Sequence, residues 1–272
     1  MAHTASPTAS PATVLCIGGH DPSGGAGISA DAEAVHAAGA FPLTVITALT
    51  DQDTGGLRAI YPQPPEQVEA QCRALMEDSR PRAIKIGLVG SSRVVRVLGA
   101  LIDGQPDLPL VLDPVLASNA GQEMVDAALL NQLRNHLVRR ATLVTPNLPE
   151  ACTLADSQDA ARCARRLLEI GARWVLVTGT HDTTPEVINR LFAADGAERT
   201  WNWPRLPGEY HGSGCTLASA IAARLALGWP MMEAVAAAQE YTWASLERAL
   251  RTGRGQLTPN RLFALPSTQG PP

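Results

Sequence analysis

Six short runs of apolar residues, rich in Val, Ile and Leu, punctuate the chain at Thr13 to Ile17, Leu43 to Leu49, Ala83 to Ile86, Leu110 to Leu112, Thr142 to Val144 and Trp174 to Val177. Runs of this length and composition predict strands buried on both faces. Between them, apolar residues recur at helical spacing over Glu66 to Met76, Ser91 to Ile102, Asp126 to Val138 and Asp159 to Ile170. Strand and helix patterns in alternation predict βαβ crossovers, hence an α/β fold with a mostly parallel sheet covered by helices on both faces. Two runs flanking Asp195-Gly196, between Val187 and Trp201, predict a hairpin at the sheet edge. The Ala-rich stretches Cys215 to Leu227 and Met231 to Leu250 predict two further helices. No linker-like stretch and no repeat interrupts this rhythm. The expected organisation is one domain over 13–264, with a loose Ser/Thr/Ala/Pro-rich tail at 1–12 and a Pro-rich tail at 265–272.

Composition narrows the function classes. At 272 residues and 45% hydrophobic content the chain has enough apolar material for a well-covered core. A net charge of −4 and an aromatic content of 4% argue against nucleic acid as partner, which asks for a basic face and stacking platforms. No segment approaches the roughly 18 apolar residues that a membrane-spanning helix needs. The first dozen residues lack both a basic stretch and an apolar stretch, so a secretion signal is not expected and a cytoplasmic location is. Five cysteines, an odd number with no Cys-x-x-Cys pair, suit neither a disulfide framework nor a zinc site.

In a parallel sheet of this kind ligands collect beyond the carboxyl ends of the strands, which directs attention to four loops. The first, Gly18-Gly19-His20-Asp21-Pro22-Ser23-Gly24-Gly25-Ala26-Gly27-Ile28, leads into a helix containing Asp31. Its glycines suit either close approach of a ligand to the backbone or a tight structural turn. The second, Ala48 to Gly56, ends a strand and carries Gln52, whose amide both donates and accepts and so suits a ring nitrogen beside an amine. A solvated turn is the alternative there. The third, Thr145-Pro146-Asn147-Leu148-Pro149-Glu150, follows Asp113-Pro114-Val115 of the preceding strand. Asn147 and Glu150 share a helix face, suited on local grounds to helix capping and alternatively to hydrated magnesium and phosphate oxygens. The fourth, His211-Gly212-Ser213-Gly214-Cys215-Thr216, runs straight into an Ala-rich helix. Amides 212–215 at a positive helix end would make an anion hole, and Cys215 there is expected to have a lowered pKa; a helix start with a buried cysteine is the alternative.

Taken together, these segments resemble the ribokinase-like superfamily, and within it the phosphomethylpyrimidine kinase branch of thiamine biosynthesis, from about Val14 to Ala249. The carriers are the first loop, Val45 to Leu49, Lys85-Ile86-Gly87-Leu88, Leu112 to Val115, Thr145 to Glu150 and His211 to Leu217. The resemblance implies a three-layer α/β/α fold and transfer of the γ-phosphate of ATP to 4-amino-5-hydroxymethyl-2-methylpyrimidine and then to its monophosphate. It implies that Gly19, Gln52, Leu88, Val115 and Cys215 line the pyrimidine pocket, with Asp31 beside the hydroxymethyl group. It assigns Asp113, Asn147, Glu150 and Thr178 to the Mg2+ and ATP side, with Asp113 and Glu150 toward the metal. Gly212, Ser213, Gly214 and Cys215 then form the catalytic anion hole, and relatives suggest a homodimer.

Two departures stand out. Many members read Lys-Gly-Gly-His where this chain has Thr178-Gly179-Thr180-His181, so a lysine expected near the nucleotide phosphates is absent; Arg190 or Arg205 is a candidate replacement. Tyr210 stands where Thr is common. A pyridoxine or pyridoxal kinase, and a pyrimidine-binding regulatory module that lost ATP competence, are the alternatives that these residues leave open.

Overall fold

A computed structural model describes residues 10–116, 126–180 and 184–265. Most of both expected tails, and His181, lie outside these described residues. The chain forms strands β1 (Thr13–His20), β2 (Phe41–Asp53), β3 (Gly56–Pro62), β4 (Ala83–Ile86), β5 (Leu110–Leu112), β6 (Leu143–Val144), β7 (Trp174–Val177), β8 (Glu186–Ala193) and β9 (Glu198–Pro204). The helices are α1 (Gly27–Ala37), α2 (Pro65–Ser79), α3 (Ser92–Asp103), α4 (Ala127–Gln132), α5 (Leu148–Ala155), α6 (Ala160–Ile170), α7 (Ser213–Ala226) and α8 (Met231–Glu247). The nine strands make one sheet in the order β3-β2-β1-β4-β5-β6-β7-β8-β9. From β2 to β7 neighbours run parallel, while β3 at one end and β8 at the other pair antiparallel. The expected α/β class, parallel core and edge hairpin are all present.

Strand parity sorts the core into two layers. Leu15, Ile17, Ile84, Ile86, Leu110 and Leu112 face a cluster built with α2 to α6. Val14, Cys16, Ala83 and Val111 face the opposite cluster, built with α1, α7 and α8. Helix ends follow their sequence signals. Ser91 accepts from the Val94 amide at 3.3 Å, and Asp159 accepts from the Arg162 amide at 2.8 Å. The stretch read as one helix over Asp126 to Val138 instead leaves the α form after Gln132, through a π turn (Leu133–Leu137) and a 3₁₀ turn (Val138–Arg140).

Two expectations are corrected. Gly18 and Gly19 belong to β1, not to a loop, because they pair with Ile46 and Ala48 of β2. The supposed loop at Ala48 to Gly56 is the far half of β2 turning into β3, with Leu49 opposite Tyr61 and Asp51 opposite Ala59. This half escapes the apolar pattern because it lies near the edge, where outward residues such as Asp51 and Asp53 meet solvent and pair with Arg58 across the hairpin.

Sheet order fixes where a ligand belongs. From β1 the chain moves outward to β2 and β3, then returns through α2 to the other side of β1 at β4. Strand order therefore reverses between β1 and β4, and the crevice beyond their carboxyl ends is the switch point at which such sheets bind ligands.

Candidate active site

The switch-point crevice is shaped by glycine. A β-carbon on Gly19 would lie 2.8 Å from Leu88 Cδ2, so these two expected pocket residues touch. Leu88 and Val115 line a small cleft with Leu129 and Leu133. After β1, Asp21 organises the loop as an acceptor. Its carboxylate takes the Ser23 amide at 2.9 Å, the Ser23 hydroxyl at 2.8 Å and the Ala26 amide at 2.9 Å. Burial works against its charge, but hydrogen bonds from His211 and Ser23 outweigh burial and draw it down to about 2. A carboxyl held below its unfolded value of roughly 3.9 adds stability at pH above that value, lost as pH falls toward 2. The stability gap between wild type and Asp21→Asn is therefore expected to be about 2 kcal/mol near pH 6 and to close by pH 2 in urea titrations; a gap independent of pH would contradict this.

Parity places Lys85 on the α1/α7 face of β4, and Asp113 continues the same parity from Val111. Lys85 is 1% exposed at its side chain; its Nζ donates to Asp31 Oδ1 at 2.7 Å and lies 3.5 Å from Asp113 Oδ2. The Ser219 hydroxyl of α7 donates to the same Asp31 oxygen at 2.7 Å. A β-carbon on Gly87 would come within 2.8 Å of the ammonium, so glycine is what admits the lysine. Burial opposes the charge on Lys85, yet the Asp31 and Asp113 carboxylates more than offset it and hold the amine protonated. Asp31 Oδ2 is buried without a hydrogen-bond partner, and Asp113 Oδ2 makes no hydrogen bond, its ion-pair partner being the Lys85 ammonium at 3.5 Å.

Helix α7 begins in the shape that the fourth loop implies. Gly212 has φ +86°, no side chain caps the helix, and a β-carbon there would overlap the Gly25 carbonyl oxygen and lie 2.9 Å from Arg261 Nη2. First-turn amides without a cap, at the positive end of a helix, are suited to an anion. Cys215 sits in that first turn with the Gly27 amide, Lys85 and Asp113 as neighbours. Its expected lowered pKa is not what the structure gives. Desolvation, with Asp113 and Asp31 adding to it, pushes the thiol up to about 12 despite Lys85 and the Gly27 amide.

On the far side, Asn147 and Glu150 form a reciprocal capping box: Asn147 Oδ1 accepts the Glu150 amide at 2.9 Å, and Glu150 Oε2 accepts the Asn147 amide at 3.0 Å. Capping, the alternative weighed for this pair, is thus realised. Glu150 nevertheless faces Asp113, and burial together with that carboxylate pushes it up to about 8. Burial likewise raises Asp113. Thr178 follows β7 beside this box, its amide donating to the Pro146 carbonyl at 2.9 Å. The arginine candidates for the missing lysine diverge. Arg205 braces the segment after Thr178, donating to the Thr180 carbonyl at 2.8 Å and the Thr184 carbonyl at 3.2 Å. Arg190 lies in β8 opposite Val177.

The expected site residues therefore converge at one end of the sheet, and the structure adds five that sequence reading left without a role: Asp21, Lys85, His211, Ser219 and Arg261. Lys85 had an available signal, since it is the single lysine among 272 residues and stands in an otherwise apolar strand. Arg261 had none. It is 2% exposed and donates to Thr216 Oγ1 at 2.8 Å, Glu33 Oε2 at 3.0 Å and the carbonyls of Gly24 and Gly25. In this way it ties the glycine loop to the start of α7.

Comparison with known proteins places the chain in a family. Residues 21–260 match the phosphomethylpyrimidine kinase family. A hydroxymethylpyrimidine/phosphomethylpyrimidine kinase of Streptomyces coelicolor is 37% identical over 256 residues, covering 92% of this chain and 94% of that protein. One from Mycobacterium tuberculosis is 37% identical over 270 residues, covering 96% and 98%. Among solved structures, a phosphomethylpyrimidine kinase from Clostridium difficile aligns with a TM-score of 0.74 at 32% identity, over 85% of this chain and 97% of that one. A Staphylococcus aureus pyridoxal kinase in complex with AMP-PCP and pyridoxal aligns with a TM-score of 0.81 at 25% identity, over 92% and 94%. With the family match spanning residues 21–260, and relatives of that name aligned over more than nine-tenths of the sequence, the chain belongs to the phosphomethylpyrimidine kinase family.

Proposed function

We propose that this protein is an ATP-dependent kinase that phosphorylates 4-amino-5-hydroxymethyl-2-methylpyrimidine and then its monophosphate in thiamine biosynthesis. The observation that carries the reading is the uncapped, positive-φ Gly212 turn opening α7 against Asp113 and Cys215. Phosphoryl transfer asks mainly for positioning and charge stabilisation. In this reading the amides at Gly212, Ser213, Gly214 and Cys215 receive the charge that builds on the transferred phosphoryl group. Gly19, Leu88 and Val115 wall the ring, Gln52 reads its edge, and Asp31 accepts from the hydroxymethyl group through its unpartnered Oδ2.

Asn147 and Thr178 border the nucleotide. Asp113 and Glu150 would hold Mg2+, which supplies positive charge to the ATP phosphates. The donor set fits the ion: Asp113 Oδ2 is a buried oxygen that makes no hydrogen bond and only a 3.5 Å ion pair with Lys85, and magnesium needs only one or two carboxylates besides phosphate and water. Among the described residues no group of three or more His, Cys, Asp or Glu side chains forms a metal cage of its own. A homodimer and a cytoplasmic location belong to the same proposal. Five cysteines carried as free thiols suit a reducing compartment, and among the described residues no helix is long and apolar enough to cross a membrane.

With the thiol pushed up, Cys215 serves as a hydrogen-bonding group in the anion hole and not as a standing thiolate. Cys215→Ala is expected to lower kcat about tenfold or more while KM for ATP moves less than about threefold, with Cys215→Ser intermediate. Equal loss in both parameters would place Cys215 in nucleotide binding instead. The function itself is tested by mass spectrometry after incubation with Mg-ATP. The pyrimidine should gain one and then two phosphoryl groups. Phosphorylation of pyridoxal with none of the pyrimidine would favour the second reading, which the likeness to the pyridoxal kinase complex keeps in play.

A further inference from the structure

The Asp21–His211 pair does something that the proposed chemistry does not use. His211 Nε2 lies 2.8 Å from Asp21 Oδ2 and, at the same time, 2.7 Å from the terminal amide of Gln52. Asp21 is held as a carboxylate by its hydrogen bonds and only accepts. The imidazole nitrogen between them therefore carries the proton and donates. Gln52 Nε2 is the end that stands beside it, but a nitrogen that donates to Asp21 cannot also accept from an NH2 group, so we assign the amide with its two ends exchanged, its carbonyl oxygen sharing the imidazole N–H with Asp21. That leaves the NH2 on the side away from the imidazole.

Everything around the imidazole is built to hold it there. A β-carbon on Gly25 would overlap the His211 ring, so the loop is glycine where it wraps the side chain. The His211 amide donates to the Leu257 carbonyl at 2.9 Å, which anchors the backbone from the C-terminal segment. That segment also fastens the β2–β3 hairpin that carries Gln52. Its Gln256 amide donates to the Thr54 carbonyl at 2.9 Å, and its Gly255 amide donates to Thr54 Oγ1 at 3.1 Å. On β2 itself Gln52 shares a face with Ala48 and Thr50, whereas Leu49, Asp51 and Asp53 face outward. The amide thus has a fixed root and a fixed neighbour.

We propose that His211, oriented by Asp21, is a positioning residue that turns the Gln52 amide so that its NH2 faces the substrate, and thereby selects a heterocycle presenting an acceptor ring nitrogen beside an amine. The amide oxygen keeps a lone pair for that amine while accepting from His211. A ring with a C–H where that ring nitrogen would stand offers no acceptor to the NH2 and leaves a donor unpaired, which is how polar sites reject near-isosteres. This inference rests on the proposed pyrimidine kinase activity.

The test is a double-mutant cycle of His211→Asn and Gln52→Ala in the full-length enzyme, read as KM for the hydroxymethylpyrimidine, as its Kd by calorimetry, and as the preference for pyrimidine over pyridoxine. His211→Asn alone should raise KM and Kd for the pyrimidine about tenfold, leave kcat within about threefold and KM for ATP unchanged, and erode the preference for pyrimidine. In the Gln52→Ala background the same change should cost less than about twofold. Multiplying effects, or a rise in KM for ATP to match, would overturn the inference and assign His211 to the fold of the anion hole. A wild-type chain that phosphorylates the pyrimidine while the cycle is multiplicative overturns this inference alone. One that neither binds nor phosphorylates it removes the functional proposal as well.

Discussion

Lys85→Met is expected to destabilise the protein by about 3–5 kcal/mol and to abolish turnover, because it strips the shared cation from two buried carboxylates. Asp31 Oδ1 sits 2.7 Å from the ammonium and Asp113 Oδ2 3.5 Å from it, and both carboxylates are buried. Attraction in so dry a setting is offset by the cost of burying three charges, so the intact cluster contributes little net stability while its loss is expensive. Lys85→Met/Asp31→Asn should recover a good part of the lost stability by removing one uncompensated carboxylate, with no recovery of turnover. That split, measured by urea denaturation and steady-state rates, separates the electrostatic role from simple packing. Arginine is not expected to substitute. The other 21 cations are all arginine, yet this position keeps a compact ammonium beneath Gly87, where a guanidinium fork has no room.

Gly212→Ala is the second large effect. The residue has φ +86°, where a side chain costs roughly 1–2 kcal/mol by itself. The added methyl also meets the Gly25 carbonyl oxygen and the Arg261 guanidinium, neither able to retreat: Arg261 is pinned by Thr216 and Glu33, and Gly25 by the His211 ring. The first turn of α7 must then shift relative to the glycine loop. A fall in kcat of at least about a hundredfold is expected, since donors displaced from a developing charge cost about that much each. Pyrimidine affinity measured by calorimetry should suffer far less. Comparable losses in affinity and turnover would show that the turn shapes the substrate pocket and not the phosphate site.

How much of this was legible depends on what surrounds each residue. The parallel core was readable because strands covered on both faces, such as Ala83–Ile86 and Leu110–Leu112, have no polar partner to dilute the pattern. The β2–β3 hairpin was not, because one face of Leu49 to Asp53 meets solvent and the run reads as a polar turn. Gly18 and Gly19 read as loop since glycine weakens a strand, yet at Gly19 the missing side chain makes room for Leu88. Gln52, Asp113 and the Gly212–Cys215 turn were visible as motifs, whereas their partners lie far away in sequence. His211 reaches Asp21 across 190 positions, and Arg261 reaches Gly25 across 236. The thiol of Cys215 shows the limit most clearly. A helix start argues for a lowered pKa, and the burial of the thiol in the folded chain, with Asp113 and Asp31 adding to it, reverses the sign.

The most direct measurement is ADP release in a coupled assay of the full-length protein with Mg-ATP, with and without 4-amino-5-hydroxymethyl-2-methylpyrimidine. Release that depends on the pyrimidine, and that Cys215→Ala slows without raising KM for ATP, is the expected result. Tight pyrimidine binding with no ligand-dependent ADP release would contradict the kinase reading and point to a binding module that kept the crevice and lost the chemistry.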